Sequence, residues 1–375
     1  MVVVWLISNW LGIGLQLVGL SRQKPLHFNN FHAGTTITPT PSGANSARQW
    51  RPRECCQHDA KLDVNTGVPQ QGRVNNLRVK TKYFLQLVGL SALWGSSFML
   101  LRIVSPMLGP QVLSALRIGL ATLTLALIMR AMRYRWPWTH WREVAVLGAL
   151  SVAVPYLLFS WAALHLPAGY SALLNSTAVM FGTFAAAWLK EDTLTVRKVL
   201  GCVCGFAGVA LIVRLGPVEP TRVVITAMLA CITASAAFGI STPLMKRAIS
   251  RMQPLQIAAG LHAFAFIYLL PGAVYTWPQA HFTPGAMAAV AVMGVVTSGL
   301  AYWAHLRIMV HVTPVAAMSP MFMIPVFGVA WGHVLLGEPL SPGIYAGGSL
   351  VLLASALVSG FNPWRKTLKV VNPKL

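Results

Sequence analysis

From residue 83 to residue 361 the chain is a succession of long apolar stretches separated by short breaks. A helix rises about 1.5 Å per residue, so roughly 20 apolar residues are needed to cross the hydrocarbon core of a bilayer. Hydrophobic residues make up 55% of the sequence and charged residues only 10%, which is outside the range of ordinary soluble domains. The sequence therefore predicts an all-α membrane protein with the lipid bilayer as its first partner.

Ten transmembrane helices are predicted within this region. They cover residues 83–101, 111–129, 144–164, 168–189, 199–213, 223–243, 255–275, 284–305, 314–336 and 343–361. The breaks carry turn residues, for example Ser105-Pro106, Gly109-Pro110 and Leu166-Pro167. Short loops between consecutive spans are therefore expected.

A short sequence motif that covers the end of one span and the start of the next occurs twice in the chain. Residues 189–195 and 335–341 align without a gap, and at the same offset of 146 positions Tyr156 aligns with Tyr302. Two similar halves of five spans each are therefore predicted. The predicted units are an N-terminal extension at 1–82, a first repeat at 83–215, a second repeat at 222–361 and a cytoplasmic tail at 362–375.

The basic residues between the spans predict the orientation, because Lys and Arg in short loops are retained on the cytoplasmic side. The loops after even-numbered spans and the tail hold Arg130, Arg133, Arg135, Arg142, Lys190, Arg197, Lys198, Lys246, Arg247, Arg251, Arg307, Arg365, Lys366, Lys369 and Lys374. The opposite loops hold only Arg102, Arg214 and Arg222. Both ends of the ten-span core are predicted to be cytoplasmic, so the two five-helix repeats are inverted relative to each other.

The N-terminal extension does not follow this pattern. Residues 22–82 are polar and rich in Pro, Ser, Thr and Arg, a composition that predicts disorder. Residues 1–20 are apolar but lack the basic start of a secretory signal, and residues 15–21 recur as residues 85–91. One hypothesis is that the protein begins near Val79 or Lys80, which the intact mass of the mature protein would test.

Several function classes are not supported by the motifs. The sequence has no Walker A loop, GxSxG, HExxH or Rossmann fingerprint, so we expect no enzyme and no cofactor. The five cysteines have no CxxC spacing, which predicts free thiols and no metal site. The net charge of +21 is spread over the extension, the span ends and the tail, so no nucleic acid partner is expected.

Two polar residues stand out because they lie well inside spans. Arg117 could attract an anionic group such as a carboxylate, or it could hold backbone carbonyls between helices. His262 could bind a substrate or take up a proton, or it could be a hydrogen-bonded packing residue. Both are candidates for a cavity at the middle of the membrane.

Aromatic and helix-breaking residues supply further cavity candidates. Tyr156 and Tyr302 place one aromatic hydroxyl on each half, and Trp94 begins a Trp-Gly-Ser-Ser run in the first span; interhelical packing is the alternative for all three. Asn175 lies inside the fourth span. The helix-bending candidates are Pro155, Pro320 and Pro325. Asn175 and Ser176 in span four, with Pro320 and Pro325 in span nine, mark these two spans as the discontinuous or cavity-facing helices. A plain kink is the alternative.

In these residues the chain resembles the drug/metabolite transporter superfamily, specifically its EamA type with ten spans and two repeats. The resemblance covers residues 82–361 and rests on the order and spacing of four motifs. They are Ala92-Leu93-Trp94-Gly95-Ser96-Ser97-Phe98, Leu116-Arg117, Leu166-Pro167-Ala168 and Leu336-Gly337-Glu338-Pro339-Leu340. The first copy of the closing motif has Glu191-Asp192 in place of the Gly-Glu usual in the family.

The resemblance implies a multi-pass secondary transporter in the bacterial cytoplasmic (inner) membrane that exports or exchanges a small metabolite, amino acid or drug-like compound. Inverted repeats support alternating access, since exchange of the two halves' conformations opens a central site to each side in turn. Coupling to protons or to a counter-substrate and assembly as a homodimer remain open. The alternatives are a sugar-phosphate or nucleotide-sugar antiporter of the same superfamily, which one buried Arg with no cavity Lys disfavours, and a membrane scaffold subunit without transport activity.

Overall fold

The computed structural model describes residues 81–190, 193–215, 219, 221–310 and 320–359. The predicted tail lies outside these residues, as does the predicted extension except for positions 81 and 82, which begin the first helix. Throughout the described ranges every regular element is helical and none is a strand. The predicted all-α fold is confirmed.

Eleven helices account for ten passes of the described chain through the bundle. In the first half they are α1 (Thr81–Leu108), α2 (Pro110–Ala131), α3 (Trp138–Ala162), α4 (Ala168–Asn175), α5 (Ala178–Trp188) and α6 (Val196–Leu215). In the second half they are α7 (Arg222–Ile249), α8 (Pro254–Thr276), α9 (Pro284–Met309), α10 (Pro320–Leu336) and α11 (Pro342–Ser359). The pair α4 and α5 corresponds to the predicted fourth span.

Six of these helices are long and apolar enough by themselves to cross a membrane. They are α1, α2, α3, α7, α8 and α9, with 22 to 28 residues in the apolar segments. Shorter apolar segments occupy Met323–Leu336 in α10 and Pro342–Ala354 in α11. Length and composition therefore identify a multi-pass membrane protein. In water these helices would expose large apolar faces, whereas in a bilayer the lipid covers them.

The helix boundaries follow the predicted turn residues. Gly109 has φ 73° and is followed by Pro110 at the first position of α2, where the missing N–H of proline costs no helical hydrogen bond. At the start of α7 the Thr221 hydroxyl accepts a hydrogen bond from the Val224 N–H, and at the start of α9 Thr283 caps Ala286 in the same way. Glycine, proline and capping threonines thus separate the successive helices.

Two of the predicted boundaries are wrong. The sequence predicts a turn at Ser105-Pro106, but α1 continues through Pro106 to Leu108, and the Gly109 N–H donates to the Ser105 carbonyl. Likewise α7 continues beyond Pro243 to Ile249. A single proline in a long apolar helix forfeits one backbone bond, which neighbouring helices can compensate, so the helix need not end there.

The predicted interruption of span four is present, between α4 and α5. The N–H groups of Ser176 and Thr177 donate to carbonyls three residues back instead of four, and their hydroxyls donate to the same carbonyls, those of Leu173 and Leu174, at 2.6 and 2.7 Å. Hydroxyl groups that bind the preceding turn compete with regular helix geometry. The equivalent stretch before α10, residues 311–319, lies outside the described residues.

The third and eighth spans carry matching π-helical segments. They lie at Ala149–Ala153 in α3 and Val292–Leu300 in α9, and in each span the segment ends shortly before the repeated tyrosine, Tyr156 or Tyr302. A π turn inserts an extra residue and rotates the following helix, and such turns are frequent at functional sites. The internal repeat therefore extends to an irregular backbone feature.

Glycines allow close helix contacts at equivalent places in both halves. A side chain at Gly95 would place its Cβ 2.6 Å from the Phe327 Cβ, so α1 packs directly on α10. Gly239, in the matching position of α7, faces the backbone of α5 at Ala178 and Gly182. These close contacts pair the first helix of each half with the broken or proline-containing span of the other half.

Hydrogen bonds between helix ends distinguish the two ends of the bundle. At one end Arg247 donates to the Leu189 carbonyl and Arg251 approaches Glu143; we call this the Lys246 end, after a residue of the same α7 terminus. At the other end the Glu338 carboxylate accepts from the N–H groups of Ala168 and Gly169, and we call this the Glu338 end. By the distribution of basic residues, the Lys246 end is the predicted cytoplasmic end.

Candidate functional site

A cavity of about 460 Å³ lies between the two halves of the bundle. Its wall is formed by α1, α3, α4, α5, α7, α9 and α10, with Arg117 as the contribution of α2. The aromatic lining consists of Trp94, Phe98, Tyr156, Phe159, Phe238 and Tyr302. The polar lining includes Ser97, Arg117, Asn175, Ser241, Thr242, Lys246 and His305. The size is typical of a small-molecule site.

Arg117 is the polar centre of this cavity. Its side chain is only 4% exposed, its Nε donates to the Ser298 hydroxyl at 2.7 Å, and its Nη2 donates to Thr297 Oγ1 at 3.2 Å. A longer contact of 3.4 Å joins Nη2 to the Ser97 hydroxyl. Arg117 therefore reaches from α2 to α1 and to the π segment of α9, which fixes the direction of the guanidinium.

The guanidinium also lies over the ring of Tyr156, with its central carbon 4.3 Å from the ring centroid. This is a cation–π contact, which is stronger when the pair is shielded from water. Both residues line the cavity. Hydroxyl groups bind Nε and Nη2 of Arg117, and an aromatic ring covers one face of the guanidinium. Within the described chain Nη1 forms no hydrogen bond, and we call this part of the side chain the Nη1 edge.

The second half repeats this arrangement with a different side chain. Tyr302 lies 146 positions after Tyr156, and His262 lies 145 positions after Arg117. The rings of His262 and Tyr302 meet edge to face with centroids 5.0 Å apart. The first half thus pairs its tyrosine with a permanent cation, whereas the second half pairs it with an imidazole.

His262 is fully buried and does not line the cavity. Its Nδ1 lies 2.8 Å from the Ala258 carbonyl, and its Nε2 forms no hydrogen bond with any residue that the structure describes. Tyr302 stands in the cavity wall. Of the two polar residues singled out inside spans, the structure brings Arg117 to the cavity surface and places His262 against a ring of its wall.

Trp94 lines the middle of the cavity, and its orientation is fixed by two neighbours. The indole N–H donates to the Thr297 carbonyl at 3.0 Å, and the His305 ring meets the indole edge to face at 5.1 Å. His305 also lines the cavity, and its buried Nδ1 has no hydrogen-bond partner in the described part of the chain. A polar atom of this kind costs free energy unless water or a ligand binds it.

The cavity reaches the protein surface at the Lys246 end. Lys246 is exposed and contributes to the lining, as do Ile249 and Met309 near the ends of α7 and α9. Toward the Glu338 end the lining stops at Leu101, and beyond it Leu108 and Leu166 are buried to 1% and 0% exposure. The arrangement is a pocket that is open at one end of the bundle and sealed at the other.

The polar groups of the cavity wall can bind a ligand through hydrogen bonds and positive charge. They are cations, hydroxyls, one amide and one imidazole, and among the described lining residues there is no carboxylate. Across the described ranges, no three His, Cys, Asp or Glu side chains lie together in a group that could hold a metal ion.

Comparison with known proteins gives the family directly. The sequence profile of the EamA-like transporter family matches the chain twice, at residues 81–214 and 225–360. The chain belongs to this family. The two matches coincide with α1 to α6 and with α7 to α11, so the two-repeat architecture and the transporter class are established together.

Similar curated proteins support the transporter class. The uncharacterised transporter YvbV of Bacillus subtilis is 25% identical over 75% of this chain and 92% of its own length. A probable terminal-alkyne amino-acid exporter of Streptantibioticus cattleyicolor is 22% identical over 71% of this chain and 89% of its own. A solved structure with a TM-score of 0.57 covers 74% of this chain and 98% of its own, at 16% identity, which shows a shared fold.

Most of the residues that the sequence predicts as cavity or helix-bending candidates line the cavity of this EamA-type protein. The lining contains Trp94, Arg117, Pro155, Tyr156, Asn175 and Tyr302. Of the other proline candidates, Pro320 is the first residue of α10 and therefore begins that helix, while Pro325 lies inside it. Their roles in substrate binding or helix bending stay predictions.

Sequence reasoning misses two lining residues, Lys246 and His305, because both lie close to predicted span ends. The expected absence of a cavity lysine argues against phosphate-bearing substrates, and the position of Lys246 in the lining overturns that premise. At the offset of 144 that aligns Gly239 with Gly95, Lys246 aligns with the basic residue Arg102, so the repeat does carry a signal for Lys246. It carries none for His305, because the position 146 residues earlier holds the apolar Phe159. Only the fold brings these two basic side chains to the cavity.

Proposed function

We propose that the protein is a secondary transporter that exports or exchanges a small metabolite, amino acid or drug-like compound across the bacterial cytoplasmic membrane by alternating access. The observation that supports this most directly is the cavity between the two repeats, open at the Lys246 end and sealed at the Glu338 end. A cavity with access from one side is the form that a carrier takes in one half of its cycle.

The repeated features suggest how the opposite state forms. Matching π segments, matching tyrosines and matching glycine contacts occur in the two halves. If the halves exchange conformations, the contacts that now seal the Glu338 end open while equivalent contacts close the Lys246 end. The cargo then leaves on the side opposite to the one it entered, without any part of it crossing lipid.

The orientation is part of the proposal. The basic residues cluster at the Lys246 end, so we place that end in the cytoplasm, where the open cavity receives a cytoplasmic solute for export. A reporter enzyme fused after Leu375 tests this placement. Activity of a cytoplasm-specific reporter is expected, and activity of a reporter that works only outside the cytoplasm would contradict it.

The test of transport uses the purified full chain in proteoliposomes. Growth protection of an overexpressing strain against amino acids, their analogues and drug-like compounds first selects a cargo, and counterflow of that radiolabelled cargo is then measured. Flux that depends on the protein is expected, with an added proton gradient separating proton coupling from exchange. A scaffold subunit would show no flux for any selected compound.

A pair of matched variants connects the flux to the cavity. Ser241→Trp places a large side chain at a lining position that is 2% exposed, whereas Leu123→Trp places the same side chain on an outer face that is 56% exposed. Loss of flux is expected for the first and wild-type flux for the second, with both proteins monodisperse in detergent. Equal flux in the two variants would show that the cargo does not pass through this cavity.

The basic side chains of the cavity favour a second candidate function. Lys246 and Arg117 give the cavity two basic side chains, and basic residues are what a sugar-phosphate or nucleotide-sugar antiporter needs to bind phosphate groups. In the same counterflow assay, exchange of a sugar phosphate against inorganic phosphate would favour this alternative over transport of an amino acid or drug-like compound.

A further inference from the structure

We propose that the cargo is an organic carboxylate with an apolar body, and that its carboxylate binds the Nη1 edge of Arg117. The inference rests on the proposed transport function, because it names the class of molecule that occupies the same cavity. Neither the family match nor the names of the relatives assign this role to Arg117.

The first step of the argument concerns charge. Arg117 is 4% exposed and carries a guanidinium, yet its hydrogen-bond partners in the structure are the neutral hydroxyls of Ser298, Thr297 and Ser97. A cation held at membrane depth is costly unless an anion approaches it. Neutral partners orient the guanidinium but leave its charge uncompensated.

The second step locates the acidic residues. Within the described part of the bundle, Glu143 pairs with His140 and Arg251 at the Lys246 end. Glu338 binds backbone N–H groups at the opposite end, and Glu219 is exposed between α6 and α7. None of the three lines the cavity. Within the part of the chain that the structure describes, the cavity therefore offers cations for an anion to bind and no carboxylate for a cationic cargo.

The third step concerns the donors that remain. Nε and Nη2 of Arg117 are engaged by hydroxyls, and the face of the guanidinium lies on the Tyr156 ring. Nη1 keeps two N–H groups that can donate to a carboxylate oxygen, and the fixed guanidinium determines where that oxygen lies. Because the neighbours of Arg117 hold it from α1, α3 and α9, little ordering is needed when the ligand binds.

The fourth step concerns the rest of the ligand. The wall of the cavity is mainly aromatic and aliphatic, and its rings include those of Trp94, Phe98, Phe159 and Phe238. Such a wall favours an apolar body over a sugar, whose hydroxyls would lose their hydrogen bonds to water. Lys246 adds its charge at the exposed mouth, where it attracts an anion toward the cavity before the anion reaches Arg117.

The experiment compares three probes, which share a phenylethyl body and differ in charge, with a fourth probe that carries a phosphate on a phenyl ring. The purified full chain is titrated with 3-phenylpropionate, 3-phenylpropionamide, 3-phenylpropylamine and phenyl phosphate, and binding is measured by isothermal titration calorimetry. The carboxylate is expected to bind at least about tenfold more tightly than the amide, because a buried charged partner is lost in the amide. The amine is expected to show no binding.

Variants connect this preference to Arg117. Arg117→Gln is expected to remove the preference for the carboxylate over the amide, and Arg117→Lys to restore part of it. Arg251→Gln, which removes one positive charge at an exposed position outside the cavity, is expected to leave the preference unchanged. The comparison of probes on the wild-type protein needs no variant, so it stands even if Arg117→Gln fails to fold.

Four results would overturn the proposal: equal binding of acid and amide, tighter binding of phenyl phosphate, a carboxylate preference that survives Arg117→Gln, or no binding of the carboxylate. These outcomes are distinct from failure of transport. If a neutral or cationic compound is carried in proteoliposomes, the proposed function stands and the carboxylate assignment falls. If no compound is carried, the transport function itself falls.

Discussion

The contacts at the two ends of the bundle differ mainly in their exposure to water. At the Glu338 end, charged side chains bind helix termini: the Glu338 carboxylate accepts from the Ala168 N–H at 2.7 Å, and Arg102 Nη1 donates to the carbonyls of Ala163 and Leu164 at 2.8 and 3.0 Å. At the Lys246 end Arg247 donates to the Leu189 carbonyl at the end of α5, but its side chain is exposed and the distance is 3.3 Å. The pair of Arg251 and Glu143 at the same end is 3.7 Å apart, and the Arg251 side chain is 59% exposed.

The charges at the Glu338 end match the helix termini that they bind, which predicts stronger contacts there. Glu338 lies at the N-terminus of α4 and Arg102 at the C-terminus of α3, so each charge matches the partial charge of the helix end that it binds. The loop between α3 and α4 is therefore held by opposite charges on its two sides. Exposed ion pairs such as that at the Lys246 end contribute little, since water competes for both partners.

The largest effect is expected from Glu338→Ala, which removes the carboxylate that binds the start of α4. Loss of a helix-capping side chain costs about 0.5–2 kcal/mol, and about 1.4 kcal/mol changes an equilibrium constant tenfold. The Glu338 end should therefore open roughly tenfold more often. A cysteine placed at Ser105, which is 0% exposed near that end, reports opening through its reaction with a water-soluble maleimide. The five native cysteines are replaced by serine in this assay.

Two further variants separate charge from shape at the same place. Glu338→Gln keeps a hydrogen-bond acceptor but loses the charge, so its labelling rate should lie between those of the wild type and Glu338→Ala. Gly332→Ala keeps the carboxylate but places a Cβ against it, because a side chain at Gly332 would collide with Glu338 Oε2. It should also speed labelling, whereas Gly285→Ala, with open space around it, should not. Unchanged labelling in Glu338→Ala would refute the role assigned to this contact.

A smaller effect is expected from Arg102→Met, which removes both donors to the end of α3. Each lost bond from a charged donor to a carbonyl weakens the sealed state, but the half-buried carbonyls can bind water instead. We expect about threefold faster labelling of the Ser105→Cys reporter. Arg307→Met serves as the control, since Arg307 is exposed and lies over the Trp303 ring on α9. Equal acceleration by both variants would show that the effect is not specific to the α3 terminus.

Sequence reasoning is sufficient for features that leave a pattern in composition and spacing. The apolar stretches predict the helices, the repeat at Tyr156 and Tyr302 predicts the two halves, and a buried charge at Arg117 predicts a polar centre. What it cannot give is the side of an apolar helix that faces the cavity. Lys246 lies in the lining because of the rotation of α7, and nothing in an apolar sequence records that rotation.

Helix ends are also difficult to predict, for a related reason. Pro106 reads as a turn residue, but inside a bundle the surrounding helices determine whether a helix continues past a proline. The same holds for Glu338. The repeated motif around Glu338 indicates a helix end. Its carboxylate, however, accepts a hydrogen bond from the N–H of Ala168 at the start of α4, 170 residues earlier in the chain. Contacts between distant segments require the fold before they can be assigned.

The smallest effect is expected from Arg251→Gln at the Lys246 end. The distance of 3.7 Å to Glu143 and the exposure of the arginine predict a contribution of at most about 0.5 kcal/mol, which salt screens further. The thermal unfolding midpoint in detergent, measured at one scan rate in low salt and at high salt, should therefore change little for this variant and for Glu143→Gln. A decrease as large as that caused by Glu338→Ala would mean that ion pairs also hold the Lys246 end together, and the two ends would then differ in access but not in the strength of their contacts.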